Sequence, residues 1–513
     1  MSTEIELKLI VASKDLPRLR EVLRQYDDTA KAKRRHLLNH YYDTADAALW
    51  TSGVALRVRR IDGHWVQTLK GNGGVYAGVH QRAEWETPVS DNCPNPDRLI
   101  STFPDDTELQ KLIQKLRKQE NIHAVFSTDF YREARIVKLS DGSEIEVAVD
   151  EGEVVVGKRR KPICELELEL KSGNTVAVFD FARRLLVDVP LSIGIVTKAE
   201  RGYALVQPAQ QSAPRRAKSV APIASSTVEN VFADIFSECF SHLLENIDGV
   251  LEGRDPEYLH QLRVAIRRFR GALSVFSDVV PKQMMAHIAG ELQKAGQVLG
   301  DARNWDVFQH ETLPAYTKET NTVLSEAFLA HLQQRSRRAA ANAKRLVRSQ
   351  RFVDALLTIG ALIVGRNWRN AATETTLNAL AQPVGIFAQQ VIEKRHKRLK
   401  KAVAAIAPEH LETLHAVRIA GKKLRYSTQF FASLFSNKRA EPYADTLADI
   451  QDLLGRVNDA VIAQHLLSEM ERRLAELSTE ATLVNTWLQQ RLQKDQDLFS
   501  KVWRRFSKLP ALT

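Results

Sequence analysis

The sequence predicts a chain of two parts: an α+β part rich in antiparallel strands over residues 1–206, and an all-α helical bundle over residues 225–513. Three observations lead there. Period-two alternation of charge and hydrocarbon recurs through the first part and all but vanishes after Thr227. At 513 residues the chain is too long for one typical domain. Charge divides at the same place: residues 1–210 carry 31 basic and 31 acidic side chains, so the whole net charge of +11 falls on the remainder.

Glu4-Ile5-Glu6-Leu7-Lys8 opens the first part. As a strand it sets Glu4, Glu6 and Lys8 on one face and Ile5, Leu7 and Leu9 on the other. Burying a charged face in an ordinary core is costly, so that face points at water or at a ligand. The pattern returns at Glu84 and Glu86 and at Glu165, Glu167 and Glu169, with Arg57 and Arg59 as the basic counterpart. A short amphipathic helix is expected over Leu16–Tyr26, then strands over Leu37–Tyr42 and Leu56–Arg60. Asp62-Gly63 signals a hairpin to Trp65–Leu69. Asn72-Gly73-Gly74 is a loop before a strand ending at Val89, and Asp105–Gln119 reads as helix. Four strands follow: Phe126–Leu139, Glu144–Val149, Glu153–Val156 and Ile163–Leu170. Phe179–Leu186 is helical, and Lys198–Val206 closes the part.

Residues 207–224, with three prolines among Ala, Ser, Arg and Lys, read as a linker. Helical patterns then run over Val228–Asn246, Tyr258–Phe276, Leu324–Arg348, Leu411–Leu434 and Leu466–Glu476. This part repeats itself, over about 228–380 and 381–513. His260, Arg263, Arg267, Arg268 and Arg270 match His415, Arg418, Lys422, Lys423 and Arg425 at a constant offset of 155. Leu299-Gly300 matches Leu454-Gly455 at the same offset, as does Arg303-Asn304 with Asn458-Asp459. On helices, His260, Arg263, Arg267 and Arg270 share a face, as do His415, Arg418, Lys422 and Arg425. Each copy lays down a basic stripe suited to several phosphates at once.

In the first part, carboxylate pairs on adjoining strands suit a hard divalent cation, which takes oxygen ligands. Neighbouring arginines and lysines repel such a cation unless a polyanion lies between, and a polyphosphate chain meets that description. Surface ion pairing is the plainer use of the same charges, each pair contributing little.

The motifs Glu4-Ile5-Glu6-Leu7-Lys8, Leu56-Arg57-Val58-Arg59, Thr68-Leu69-Lys70, Arg82-Ala83-Glu84-Trp85-Glu86, Glu165-Leu166-Glu167-Leu168-Glu169 and Lys198-Ala199-Glu200-Arg201-Gly202-Tyr203 resemble, in order, those of the CYTH superfamily, the triphosphate tunnel metalloenzymes. The second part resembles the CHAD domain, a helical domain associated with polyphosphate. Together the two resemblances cover nearly the whole chain, in the order found in bacterial inorganic triphosphatases. The resemblance implies an antiparallel eight-stranded tunnel lined by charge, and metal-dependent hydrolysis of inorganic triphosphate to pyrophosphate and phosphate. It implies Glu4, Glu6, Glu165, Glu167 and Glu169 as ligands of Mg²⁺ or Mn²⁺. Lys8, Arg57, Arg59, Lys70, Arg132, Lys198 and Arg201 become phosphate clamps, with Arg82, Glu84, Glu86 and Asp150 completing the lining. The basic stripes of the helical part would hold polyphosphate. Thiamine triphosphatase and class IV adenylate cyclase stay open within the superfamily, with Trp50, Trp65, Tyr76 and Trp85 available to stack an organic group. From another class, a polyphosphate-binding or scaffolding protein stays open too.

Other classes find little support. Gly71–Gly74 lacks the lysine of a phosphate-binding loop, and no Rossmann fingerprint occurs. The basic character suits nucleic acid in general, but helix-turn-helix, zinc and RNA-binding motifs are missing. Cys93, Cys164 and Cys239 form no disulfide framework, the N-terminus has no apolar signal segment, and the oily run Val353–Val364 is too short to span a bilayer and reads as a buried helix. A cytoplasmic protein is the expectation.

Overall fold

The computed structural model describes residues 3–26, 32–71, 73–100, 110–114, 122–207, 213–406, 411–473 and 477–512. The chain divides into two units, residues 1–213 with 348–365, and residues 214–347 with 366–513.

The first unit is built on ten antiparallel strands: β1 (Thr3–Val11), β2 (Lys33–Asp43), β3 (Ala55–Ile61), β4 (His64–Lys70), β5 (Gly74–Tyr76), β6 (Val79–Val89), β7 (His123–Lys138), β8 (Glu144–Val156), β9 (Arg159–Ser172) and β10 (Leu191–Ile193). Their order is β10-β1-β9-β8-β7-β2-β3-β4-β6-β5, and β1 pairs with β6 as well as with β9. The sheet is therefore curled, and the run from β1 through β9, β8, β7, β2, β3, β4 and β6 returns to β1. Within this unit lie α1 (Leu16–Arg24), α2 (Ala48–Thr51), α3 (Pro96–Ile100), α4 (Val176–Asp188) and α5 (Lys198–Val206).

The alternation read in the sequence is realised with its polar face inward. Glu4, Glu6 and Lys8 line a central cavity, whereas Leu7 and Leu9 are fully buried on the opposite face. Arg57 and Arg59 likewise face inward while Leu56 and Val58 join Leu49 and Leu69 in an outer core. The hydrophobic effect thus holds the outside of the curled sheet against its helices and leaves the inside to charge. The hairpin at Asp62-Gly63 forms as expected, with both residues at positive φ (48° and 89°) and Ile61 paired with His64.

One expectation is corrected here. The strands expected over Glu144–Val149 and Glu153–Val156 are one strand, β8, running straight through Gly152. A Cβ at Gly152 would lie 2.2 Å from the Asp129 carbonyl oxygen, so this glycine serves close strand approach rather than a break. The helix expected over Asp105–Gln119 falls mostly outside the described residues, with 110–114 helical. The first unit also includes a helix from far along the sequence. The oily run expected to be a buried helix is one, α11 (Gln350–Gly365), and it packs on α4 and β10. Arg183 Nε donates to Asp354 at 2.8 Å, and Gln350 Nε2 to the Leu186 carbonyl at 2.9 Å.

The second unit is all-α. It holds α6 (Val228–Glu252), α7 (Pro256–Val275), α8 (Lys282–Val307), α9 (Leu313–Thr320), α10 (Glu326–Val347), α12 (Glu374–Ala381), α13 (Val384–Ala404), α14 (Leu411–Phe431), α15 (Asn437–Arg473) and α16 (Ser478–Ser507). Packing repeats in part: α6, α7 and α8 pack in succession, α13, α14 and α15 do the same, and α7 meets α14. Phe232, Phe236, Phe240, Phe269 and Phe276 build the core between α6 and α7. The helix expected over Leu466–Glu476 is the end of α15 and runs beyond the described residues. Among the described residues no helix is long and apolar enough to cross a membrane.

Candidate functional site

The curled sheet encloses a cavity of about 400 Å³. Of the residues picked out from sequence, Glu4, Glu6, Lys8, Arg57, Arg59, Lys70, Glu84, Arg132, Glu167 and Lys198 line it. Asp150, Glu165 and Arg201 stand behind that lining and hold it in place. Asp150 and Glu165 are fully buried, Arg132 forks onto Asp150 with two bonds of 2.7 Å, and Arg201 pairs with Glu165. Glu86 is off the lining, accepting from Thr68 Oγ1 at 2.9 Å. Glu169 shares a strand face with Glu165 and Glu167, but its carboxylate pairs with Lys171 at 2.7 Å away from the cavity lining. The backbone of Arg82 pairs with Glu4, and its side chain lies outside the described residues.

Most of these charges cancel in pairs. Lys70 lies 3.2 Å from Glu4 and 3.1 Å from Glu84, and Arg57 lies 3.2 Å from Glu84. Asp150, Glu165 and Glu167 bring one oxygen each close enough together to hold a metal ion. In the protein as it stands, the Lys198 ammonium sits among them, at 2.8, 2.7 and 2.7 Å. Three donors meet three carboxylates. Burial pushes Glu165 up, but Lys198, Lys8 and Arg201 outweigh it and hold its carboxyl down to about 2.

Two groups are poorly compensated among the described residues. Glu6 is buried, its Oε1 accepts no hydrogen bond and meets the Lys8 ammonium only at 3.5 Å, and burial together with Glu167 outweighs Lys8 and pushes its carboxyl up to about 7. Arg59 is bonded to Asn39 Oδ1, and among the described residues no carboxylate forms an ion pair with it. Burial, Arg57 and Arg132 lower its guanidinium to about 9. One cavity therefore carries a carboxylate in want of a cation and a guanidinium in want of an anion.

Sequence reasoning missed the residues that aim α5. Thr197 and Glu200 form a capping box at its start (Glu200 N to Thr197 Oγ1 3.1 Å, Thr197 N to Glu200 Oε2 2.6 Å), and both line the cavity. The Thr-x-x-Glu spacing was the available signal. At its far end Tyr203 donates to the buried Asp43 at 2.7 Å and stacks on Trp50, with ring centroids 4.4 Å apart. Asp43 also accepts from the backbone N–H groups of Leu49 and Trp50 at 2.9 and 3.0 Å. Of the four aromatic residues proposed as stackers, Trp50 lines the cavity, Trp65 and Trp85 pack against the outer core, and Tyr76 is exposed.

The helical unit has its own groove, of about 840 Å³. Both basic stripes reach it: His260, Arg263 and Arg267 from α7, and Arg418, Lys422 and Arg425 from α14. Arg270 and His415 are exposed and off its lining. Arg303 of α8 and Asp459 of α15 are among the other charged residues on its lining. Burial and then Arg267 lower the Arg263 guanidinium to about 10.

Comparison with known proteins agrees with this division. Residues 2–203 match the CYTH domain and residues 234–468 match the CHAD domain. The chain joins a CYTH domain to a CHAD domain. An inorganic triphosphatase of Haemophilus influenzae is 34% identical over 206 residues, 40% of this chain and 55% of that protein. An uncharacterized protein of Mycobacterium tuberculosis is 27% identical over 222 residues, 41% of this chain and 40% of that one. The chain thus spans about half the length of the curated relatives it matches. The crystal structure of the CHAD domain from the plant Ricinus communis covers 59% of this chain and 99% of that one, with TM-score 0.51 and 28% identity.

Proposed function

We propose that the CYTH unit hydrolyses inorganic triphosphate to pyrophosphate and orthophosphate inside an eight-stranded tunnel, and that the CHAD unit holds polyphosphate. The supporting observation is that Glu6 and Arg59, the poorly compensated carboxyl and guanidinium, line one cavity, since a divalent metal with a polyphosphate answers both at once. In this reading residues 1–206 form the catalytic domain, 207–224 the linker, and 225–513 the binding domain with its two repeats, apart from α11, which belongs to the first unit. The name of the Haemophilus relative points the same way. A cytoplasmic location fits a substrate of this kind.

The donor set suits a hard cation. Glu4 and Glu6 on β1 and Glu165 and Glu167 on β9 would hold Mg²⁺ or Mn²⁺, Glu6 Oε1 being an oxygen that accepts no hydrogen bond and meets Lys8 only at 3.5 Å. Bound there, the metal supplies charge neutralisation for the phosphate oxygens. The rest of the work belongs to side chains. Arg57, Arg59, Lys70 and Arg132 line the cavity so as to draw negative charge from the equatorial oxygens as water attacks the terminal phosphorus and the bridging P–O bond breaks. Lys8, 3.3 Å from Glu167 and 3.5 Å from Glu6, holds the carboxylate pair together. Lys198 and Arg201 tie β8 and β9 to α5. The single tryptophan on the lining already has one face against Tyr203, which favours a bare triphosphate over one bearing an organic group.

The test is phosphate release by the full chain with Mg²⁺ or Mn²⁺, across inorganic triphosphate, thiamine triphosphate, ATP and long-chain polyphosphate, with cyclic AMP assayed alongside ATP. Preference for inorganic triphosphate, lost on chelation and lost in Glu6→Gln with the fold intact, is the expected result. Full turnover by Glu6→Gln would sink the metal assignment. Negligible hydrolysis of every substrate together with tight polyphosphate binding would make the protein a binder.

A further inference from the structure

The two halves of the helical groove are not equivalent. The repeat that places Arg267 on α7 places Lys422 at the matching position of α14, and the two line the same groove. An arginine in such a place keeps its charge under all ordinary conditions, whereas a lysine releases its proton when buried among like charges. Lys422 is set among them. Arg263 and Arg267 act on it from α7 and Arg418 from its own helix, and Asp459 of α15 is the carboxylate that opposes them. Burial first, and then these three guanidiniums, lower its amine to about 7.

We propose that the CHAD groove takes up a proton together with its polyanion, and that Lys422 is the residue that receives it. This rests on the polyphosphate reading of the groove given above. Phosphate oxygens entering among Arg263, Arg267 and Arg418 remove the repulsion that keeps the amine neutral. The amine then takes a proton from solvent and becomes a further cation against the chain. No covalent bond changes.

The other groups lining the groove differ from Lys422 in kind. Burial and then Arg267 lower the Arg263 guanidinium, but only to about 10. Burial and Arg303 push His260 of α7 below its ordinary value, so its proton uptake lies at more acid pH. Burial raises the Asp459 carboxyl. Arg268 of α7, Arg303 of α8, Glu311, Arg425 of α14, Asp452 and Arg456 of α15, and Lys218 in the segment before α6 also line the groove. Lys422→Arg, which keeps the charge at this one position, separates Lys422 from all of them between pH 7 and 9.

The experiment titrates inorganic polyphosphate of uniform chain length into the full chain by calorimetry. EDTA prevents hydrolysis, ionic strength is constant, and at each pH two buffers of different ionisation enthalpy are used. Wild type should take up close to one proton per bound groove at pH 8, and its Kd should rise about tenfold per pH unit above 7.5. Lys422→Arg should bind with a Kd flat from pH 7 to 9 and without that proton. Lys422→Met should also be flat, but weaker than wild type at pH 7. Polyphosphate held by the CYTH cavity contributes equally to wild type and variants, so the difference between them is the quantity read. Binding without proton uptake, or uptake that survives in Lys422→Arg, overturns the inference and leaves the polyphosphate reading standing. No binding at any pH overturns both.

Discussion

Lys198→Met removes the ammonium that Asp150, Glu165 and Glu167 share, and its cost can be worked from the contacts that remain. All three carboxylates are at most 11% exposed at the side chain, so the loss is a buried one. Each keeps at least one other partner: Asp150 keeps the Arg132 fork, Glu165 keeps Arg201 and, at 3.9 Å, Lys8, and Glu167 keeps Arg132 and, at 3.3 Å, Lys8. Breaking a buried pair costs about 3–5 kcal/mol, and these surviving partners place the variant near the lower end, about 3 kcal/mol. For a unit of this size that is a fall in Tm of roughly 6–12 °C. The assay is calorimetric unfolding of the full chain in chelator, following the CYTH transition. Because Glu165 is held down, its ionised form stabilises the fold above the unfolded carboxyl pKa of about 4.3, and that contribution is lost as pH falls toward 2. The gap between wild type and variant should therefore be full at pH 7 and close through that acid window. Mg²⁺ should restore part of the loss, since the cluster is then open to a metal ion. A Tm within 1 °C of wild type at pH 7, or a gap indifferent to acid, would refute the view that Lys198 is the internal counterion of this cluster.

Other perturbations separate binding groups from supporting ones. Arg59→Met removes a buried guanidinium whose pKa is lowered; the folded state therefore disfavours its charge, and the ligand-free protein should gain about 1–3 kcal/mol in a melt at pH 7. The same variant should raise the KM for triphosphate by about 10- to 100-fold, the worth of one charged hydrogen-bonding partner; an unchanged KM would remove Arg59 from the phosphate site. Tyr203→Phe deletes the 2.7 Å bond to Asp43 and should cost about 1–3 kcal/mol in a denaturant melt. If α5 is aimed by that bond, kcat/KM falls as well at temperatures where the variant stays folded. Gly360→Ala puts a Cβ 2.3 Å from the Phe179 ring and 2.9 Å from the Ala77 carbonyl oxygen, so about 1–3 kcal/mol should be lost from the CYTH transition although residue 360 lies in the second half of the chain. A loss confined to the CHAD transition would contradict the placement of α11.

What could be read from the sequence follows the range of the interactions that decide it. Glu4, Glu6 and Lys8 were legible because strand geometry alone puts alternate residues on one face, and the same holds for Arg57 with Arg59 and for Glu165 with Glu167. Gly152 misled because a glycine that breaks a strand and one that lets two backbones approach look alike until the partner strand is known. Asp43 and Tyr203 are 160 residues apart, and no local pattern links a carboxylate at the end of β2 to a phenol on α5. The burial of α11 was legible from its oily run, but not that it would be buried with the CYTH sheet; that depends on Phe179 and Ala77 waiting for it. Charge balance was the least legible property of all. Sequence supplies the acids and bases of the cavity without saying which cancel. In the structure Lys198, Arg132, Lys70 and Arg57 are spent on carboxylates, and the imbalance is concentrated on Glu6 and Arg59. A cavity arranged in that way is held rigid by its paired charges and, among the described residues, is least compensated at Glu6 and Arg59. A metal–polyphosphate complex relieves both together, whereas a metal alone or an anion alone relieves one, so the paired charges contribute to selectivity by fixing where such a complex can sit.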